Sequence, residues 1–119
     1  MSSPNPWPVQ IKLRPQGRHL AVTYDNGQSF ELSAEYLRVE SPSAEVQGHS
    51  AAQKQTIGGK SLVAITKIEP VGNYAVRLIF DDSHQSGIFT WAYLYELGTH
   101  EARKWGDYLE RLKAKGLSR

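Results

Sequence analysis

The sequence predicts an α+β domain, in which an antiparallel β-sheet of about five to six strands has two to three helices packed at one side, the last of them C-terminal. Three observations predict this class. Apolar and polar residues alternate in several short segments, as in half-buried strands. Asn26-Gly27 lies between two such segments and is typical of a tight hairpin turn. Near the C-terminal end, apolar residues recur at helical spacing.

The first third of the chain predicts a three-stranded antiparallel meander. Residues 9–13 and 20–24 each alternate between apolar and polar side chains, and residues 29–32 follow the Asn-Gly turn. Ser33 then suits the N-cap of a short helix over residues 34–39, which must end before Pro42.

The middle of the chain predicts a long loop followed by three more strands. Residues 45–60 are polar and contain three glycines, which indicates a loop. The next strands are expected over residues 62–68, 74–80 and 85–89. Turn-forming residues separate them, namely 69–73 and the Asp81-Asp82-Ser83 segment.

An aromatic helix is predicted next, over residues 91–97. Thr90 can cap it, and Gly98 can end it in the left-handed conformation. Trp91 and Tyr95 lie four residues apart and share one face, so we expect Trp91 in the core. Tyr93 lies off that face and would then be more exposed, so its role is left open.

A second C-terminal helix is predicted to begin after Thr99 and to end at Gly116. Trp105, Leu109 and Leu112 form an apolar stripe that should face the sheet. We therefore expect Trp105, like Trp91, to contribute to the core.

Length and composition narrow the class of protein. The 119 residues suit one hydrophobic core, so we expect an irregular arm at 1–8, a single domain at 9–115 and a tail at 116–119. The absence of cysteine excludes disulfides, thiolate zinc sites and iron–sulfur ligation. We find neither a signal-peptide pattern nor an apolar run of membrane-spanning length, so a cytoplasmic location without membrane contact is expected.

Asp81, Asp82 and His84 are the densest group of chemically active residues. One interpretation is a metal or acid–base site. The other is a hairpin turn whose carboxylates accept hydrogen bonds from local backbone amides. The turn is favoured because neighbouring strand residues point to opposite faces, and because a catalytic zinc needs a third protein ligand. The Gly58-Gly59-Lys60-Ser61 segment lacks the first glycine of a phosphate loop and precedes a strand, so a nucleotide site is not predicted.

Three motifs together carry a family resemblance. They are LR at 37–38 followed by SPSAEVQGH at 41–49, IEPVGNYAV at 68–76, and FDDSHQSGIFTW at 80–91. In this order they resemble the domain at the N-terminus of gamma-butyrobetaine hydroxylase. The resemblance is greatest to the small stand-alone bacterial members of this domain family, whose function is not established. The resemblance runs from about Val9 to Leu112, nearly the whole chain.

The resemblance bears on metal binding. In the dioxygenases such a domain holds zinc through three cysteines and one histidine. Here Ser41, Ser43 and Val46 stand at the cysteine positions, and His84 alone stands at a ligand position. Because hydroxyl groups are poor zinc ligands and valine is none, we expect neither a metal nor a cofactor, with His84 as a remnant of the ligand set.

The resemblance also implies an accessory role. The dioxygenase's catalytic iron lies in a separate domain, and similar domains are fused to Mrp-type ATPases that carry iron–sulfur clusters. We therefore expect a non-catalytic domain that binds a protein partner, in a context of iron–sulfur cluster assembly. Its candidate interaction surface consists of Ser41, Ser43, His49, Asp82, His84 and Tyr93.

Two other functions remain open. One is an enzyme or small-ligand binder that uses Asp82, His84 and His49. The other is nucleic-acid binding by the basic last helix, through Arg103, Lys104, Arg111, Lys113 and Lys115. The net charge of only +2 does not favour binding to nucleic acid. In addition, charges on a terminal helix usually form a solvated face.

Overall fold

The computed structural model describes residues 6–42, 56–82, 84 and 87–119. The first sheet contains β1 (Pro8–Leu13), β2 (His19–Tyr24) and β3 (Ser29–Ser33), paired antiparallel in that order. The turn between β2 and β3 places Gly27 at a φ of 88°, which confirms the predicted hairpin.

The second sheet contains β4 (Ile65–Val71), β5 (Ala75–Phe80) and β6 (Ile88–Thr90), again antiparallel and in chain order. The α+β class is thus confirmed, but the strands of the described residues form two three-stranded sheets instead of one. β4 also extends through Pro70, which was predicted to lie in a turn. Proline is tolerated there because β4 is an edge strand of its sheet.

Helix α1 (Ala34–Val39) follows β3 directly, as predicted. The Ser33 hydroxyl accepts a hydrogen bond from the backbone N–H of Tyr36 at 3.1 Å and so caps the helix. Every residue of α1 is buried, including the charged side chains of Glu35 and Arg38.

Helix α2 (Trp91–Thr99) begins at the Thr90 cap, whose hydroxyl accepts from the backbone N–H of Tyr93 at 3.1 Å. The predicted end at Gly98 is wrong, because Gly98 lies inside the helix. Glycine is needed there for close approach: a Cβ atom would lie 2.3 Å from the Phe30 ring.

The core-facing side of α2 also differs from the prediction. Leu94 and Leu97 are fully buried, whereas Trp91, Tyr93 and Tyr95 are half-buried around them. The expected core position of Trp91 is therefore confirmed only in part, and Tyr93, whose position was left open, packs against the same core. Both rings flank the leucines because the helix points its smaller apolar side chains at the sheets.

Helix α3 (Glu101–Ala114) begins after His100, one residue later than predicted. Tyr108 and Leu112 are its buried residues, and Trp105 is half-buried. The predicted stripe is wrong at Leu109, which is 39% exposed. Tyr108 takes the inward position because its aromatic ring fills a small second cluster with Leu112 and Val39.

Both sheets and α2 contribute to one hydrophobic core. The buried side chains of this cluster include Leu20, Val22, Leu32, Val76, Leu78, Phe80, Phe89, Leu94 and Leu97. A short 3₁₀ turn, Pro15–Gly17, brings the first sheet against β4. A Cβ atom on Gly17 would lie 2.0 Å from the carbonyl oxygen of Ile65, so the two backbones touch at this point. Across the described ranges, no helix is both long and apolar enough to cross a membrane.

Candidate functional site

Ser41 and His84 form a hydrogen bond in the protein interior. The Ser41 Oγ atom lies 2.9 Å from Nε2 of His84, and the two residues are 0% and 6% exposed. Gly87 lies against them so closely that a Cβ atom there would be 2.5 Å from Ser41 Oγ. The pair therefore joins the segment after α1 to the connection between β5 and β6.

Asp82 lies beside this pair and is held from three directions. Its Oδ2 atom accepts from Arg38 Nε at 2.8 Å and lies 2.7 Å from Lys60 Nζ. Its Oδ1 atom accepts from the backbone N–H of His84 at 3.1 Å. The predicted turn role of Asp82 is thus confirmed, and the two basic partners add to it. We call Arg38, Ser41, Lys60, Asp82 and His84 the polar corner.

The electrostatics of the polar corner favour an ionised Asp82. Burial raises the pKa of Asp82. Hydrogen bonds from Lys60, Arg38 and the His84 backbone lower it by more than this, so that the pKa falls to about 2. The carboxylate is therefore charged at any physiological pH, and it acts as a fixed anion and not as a proton donor.

Asp81 points away from this arrangement. It is exposed, and its Oδ1 atom accepts from the backbone N–H of Ala64 at 3.2 Å. The two adjacent carboxylates thus have separate partners, as expected for neighbouring residues that point in opposite directions.

Tyr93 reaches the same region from α2. Its hydroxyl group donates a hydrogen bond to the backbone carbonyl oxygen of Glu40, the residue before Ser41. Burial and the nearby Glu40 carboxylate raise the pKa of Tyr93, so its hydroxyl stays protonated. The helix is thereby fixed to the end of α1.

The predicted interaction surface is only partly accessible. Ser41 and His84 are buried, Asp82 has a side chain only 17% exposed, and Tyr93 is half-buried. Ser43 and His49 lie outside the described residues. Ser41, Asp82 and His84 are joined by hydrogen bonds, whereas Tyr93 bonds to the carbonyl of the neighbouring Glu40.

The residues of the polar corner do not fit the zinc ion that similar domains of the dioxygenases hold. One imidazole and a hydroxyl group are a poor donor set for zinc, and here they are hydrogen-bonded to each other. Val46 lies outside the described residues and offers no ligand atom. Within the part of the chain that the structure describes, no group of three or more His, Asp or Glu side chains could hold a metal ion.

Some basic residues of α3 have acidic partners. Arg111 Nη2 lies 3.8 Å from the buried Oε2 atom of Glu40, and Lys104 Nζ lies 3.4 Å from Glu96 Oε2. Such pairs reduce the positive field that α3 presents to a polyanion.

A group of aromatic side chains lies on the opposite end of β5 from Asp82. Trp7 is 49% exposed and Tyr74 is 51% exposed, with the half-buried Trp91 beside both. The rings of Trp7 and Trp91 meet edge to face at 6.3 Å, and the Trp91 backbone N–H donates to the Tyr74 carbonyl at 3.1 Å. We call Trp7, Tyr74 and Trp91 the aromatic patch.

Hydrogen bonds hold the backbone of Trp7 and the indole ring of Trp91 in place. The backbone N–H of Asp25 donates to the Trp7 carbonyl at 2.8 Å, and the Trp7 N–H donates to Asp25 Oδ1 at 3.2 Å. The Trp91 indole N–H donates to the Asn73 carbonyl at 2.9 Å. Sequence reasoning missed this surface because Trp7 was placed in an irregular arm and Tyr74 within a strand.

Comparison with known proteins decides the family. Residues 11–95 match the family model described as "Gamma-butyrobetaine hydroxylase-like, N-terminal". The chain belongs to this family. The match covers both the polar corner and Tyr93, which agrees with the resemblance carried by the three sequence motifs. No curated protein matches the chain significantly.

Solved structures support the same family relationship. Two NMR solution structures have 45% and 46% sequence identity and TM-scores of 0.83 and 0.82. They cover 100% and 96% of this chain, and 89% and 90% of their own chains. A crystal structure of a protein of unknown function from Acidithiobacillus ferrooxidans, a member of the DUF971 family, has 38% identity and a TM-score of 0.67. It covers 82% of this chain and 98% of its own.

Proposed function

We propose that this family member is a cytoplasmic, non-catalytic protein-interaction module. The polar corner supports a structural role, since Ser41 and His84 are buried and bonded to each other. A general acid or base must instead reach the proton of a substrate. Asp82 is engaged by Arg38 and Lys60, so its charge holds the fold together.

The observation that carries the proposal is the exposure of Trp7 on a fixed backbone. Tryptophan and tyrosine are enriched among the residues that contribute most to protein–protein binding. Trp7 is half exposed although its backbone is hydrogen-bonded to Asp25 on both sides. An aromatic ring that is already ordered loses little conformational entropy when a partner covers it.

The Trp91 ring contacts the Trp7 ring, and Tyr74 adds a second exposed ring next to the backbone of Trp91. The exposed ring of Tyr74 lies over Gly72, close enough that a Cβ atom on Gly72 would be 3.0 Å from it. Trp91 contacts the Trp7 ring, and its backbone N–H donates to the Tyr74 carbonyl, so the three residues lie close together. A partner protein with an apolar depression rimmed by polar groups would suit this surface.

The partner class to test first is a carrier of iron–sulfur clusters. The fusion of similar domains to Mrp-type ATPases supports this choice. Deletion of the gene should then lower the activity of iron–sulfur enzymes, and the Trp7→Ala variant should restore less activity than the wild type. Unchanged iron–sulfur enzyme activity in the deletion strain would rule out the cluster carrier as the relevant partner.

Affinity capture with matched variants tests the interaction itself. We expect the wild-type chain to retain a defined partner, with binding confirmed between the two purified proteins. The Trp7→Ala and Tyr74→Ala variants should weaken that binding at least about tenfold, as is typical for interface aromatics. Leu62→Ala is the control, because Leu62 is 75% exposed and lies two residues before Ala64, which bonds to Asp81 at the other end of β5. Equal loss of binding with Leu62→Ala, or no loss with either aromatic variant, would contradict the proposal.

A further inference from the structure

A cavity of about 450 Å³ lies between the start of α1 and the first turns of α3. It is separate from both the polar corner and the aromatic patch. Its lining consists of Ser33, Glu35, Glu101, Ala102, Trp105 and Arg119. Two of these residues are acidic and one is a tryptophan, so the cavity has the chemistry to receive a cation.

Glu35 and Arg119 form a two-pronged ion pair in this cavity. Nη2 of Arg119 donates to Oε1 of Glu35 at 2.8 Å, and Nε donates to Oε2 at 3.1 Å. The same guanidinium group lies 5.4 Å from the centre of the Trp105 ring. A paired carboxylate and an aromatic face are the two contacts that a guanidinium group favours most.

The two partners of this ion pair differ in exposure. The Glu35 side chain is 6% exposed, whereas that of Arg119 is 55% exposed. The carboxylate is therefore a fixed part of the interior, and the cation covers it from outside. A buried carboxylate is stable only with a cation beside it, but the source of that cation can change.

The aromatic wall is ordered independently of Arg119. The Tyr36 ring meets Trp105 edge to face at 6.1 Å, and the Tyr108 ring lies 5.2 Å away on the same helix. The Tyr36 hydroxyl donates to the Leu97 carbonyl at 2.7 Å, and that of Tyr108 donates to the Ile57 carbonyl. Trp105 thus keeps its position when the guanidinium group leaves, which lowers the entropic cost of binding another.

We propose that the Glu35 carboxylate and the Trp105 ring at the wall of this cavity form a guanidinium-binding site, that Arg119 covers it as an internal ligand, and that an arginine side chain of a partner protein displaces Arg119. Arginine is favoured over lysine because Glu35 accepts two parallel N–H bonds from a flat group that also stacks on Trp105. Glu101 adds a second negative charge to the cavity lining. The site is distinct from the aromatic patch, so it extends the proposed function and does not depend on it.

An NMR titration with a small probe tests the site directly. The probe is Nα-acetyl-arginine methylamide, and the signal is the indole N–H resonance of Trp105. In the Arg119→Ala variant we expect a saturable shift at concentrations on the order of millimolar, since one side chain supplies all the contacts. In the wild type, apparent binding should be about tenfold weaker, because the tethered Arg119 competes at a high effective concentration.

Three controls define the chemistry. The Glu35→Gln/Arg119→Ala variant should lose the saturable shift, since the amide cannot accept two charge-assisted bonds. The citrulline analogue of the probe has the same shape without the charge and should not bind. The probe should also raise the melting temperature of Arg119→Ala, with no effect on the double variant.

The outcomes separate this inference from the proposed function. No saturable Trp105 shift in a folded Arg119→Ala variant would overturn the site, as would equal shifts from the arginine and citrulline probes. If the double variant fails to fold, the comparison of the two probes on Arg119→Ala still decides. Trp7→Ala should bind the arginine probe as the wild type does, so failure of the aromatic patch leaves this result unchanged.

Discussion

Ser41 Oγ and His84 Nε2 share a hydrogen bond of 2.9 Å that links the end of α1 to the β5–β6 connection. We expect Ser41→Ala to lower the free energy of unfolding by about 1–3 kcal/mol, because the buried imidazole loses a hydrogen-bond partner. Urea denaturation measures this directly.

Ser29→Ala is the matched control for that experiment. The Ser29 hydroxyl lies 3.2 Å from the Thr23 hydroxyl on the exposed side of the first sheet. Water can replace this bond, so the change should stay within about 0.5 kcal/mol. Similar values for the two serine variants would mean that the Ser41–His84 bond does not stabilise the fold.

Asp82 should make stability depend on pH in the acidic range. Its pKa falls from 3.8 to about 2 on folding, so it stabilises the folded state fully above pH 3.8 and loses this effect as the pH falls through about 2. Asp82→Asn should therefore cost about 2 kcal/mol at pH 7, with a difference from the wild type that shrinks between pH 4 and pH 2. Denaturation curves across this range provide the measurement.

Glu31→Gln provides the comparison for Asp82. Glu31 forms an ion pair with Arg14 at 2.8 Å, but its side chain is 53% exposed. An exposed pair contributes little, so this variant should follow the wild type across the same pH range. A difference at Asp82 that does not change with pH would contradict the assigned role of its carboxylate.

Gly98 and Gly106 should respond in opposite ways to alanine, although both are helical. Alanine at position 106 meets nothing within 4 Å, so it should stabilise by about 0.5–1 kcal/mol through helix propensity alone. At position 98 the new Cβ would lie 2.3 Å from the Phe30 ring, and overpacking should cost about 1–3 kcal/mol. Thermal unfolding of both variants compares the effects. Stabilisation by Gly98→Ala would show that Phe30 can move aside freely.

Phe89→Ala should destabilise the fold more than Trp91→Ala, although phenylalanine is the smaller residue. Phe89 is fully buried, and Phe89→Ala should cost about 3–5 kcal/mol. Trp91 is only half-buried, so Trp91→Ala should cost less, about 2 kcal/mol, including the loss of its bond to the Asn73 carbonyl. Chemical denaturation gives both values. A larger loss for Trp91 would place this ring among the main core residues.

Local signals in the sequence were sufficient for much of the fold. The alternation of strand residues, the Asn26-Gly27 turn and the caps Ser33 and Thr90 depend on neighbours close along the chain. Contacts between separate helices and strands could not be predicted from such local signals. Phe30 explains why position 98 is a glycine inside α2, yet it lies far away in sequence, and so no local pattern reveals it.

In the candidate site, too, local features were predicted and contacts between distant segments were not. The turn role of Asp82 follows from its position after β5, and it was predicted. The contacts of Asp82 with Arg38 and Lys60 join three separate segments of the chain. Likewise, the contact between Glu35 and Arg119 brings distant segments together, and no local pattern in the sequence predicts it.

The contact between Gly17 and the Ile65 carbonyl bears on how the two sheets unfold. No side chain fits between these backbones, so a side chain added at Gly17 must push directly on β4. Neither sheet can therefore unfold by itself without breaking this backbone contact. Hydrogen exchange should accordingly report a single cooperative unit, with amides of β2 and β5 protected to the same degree.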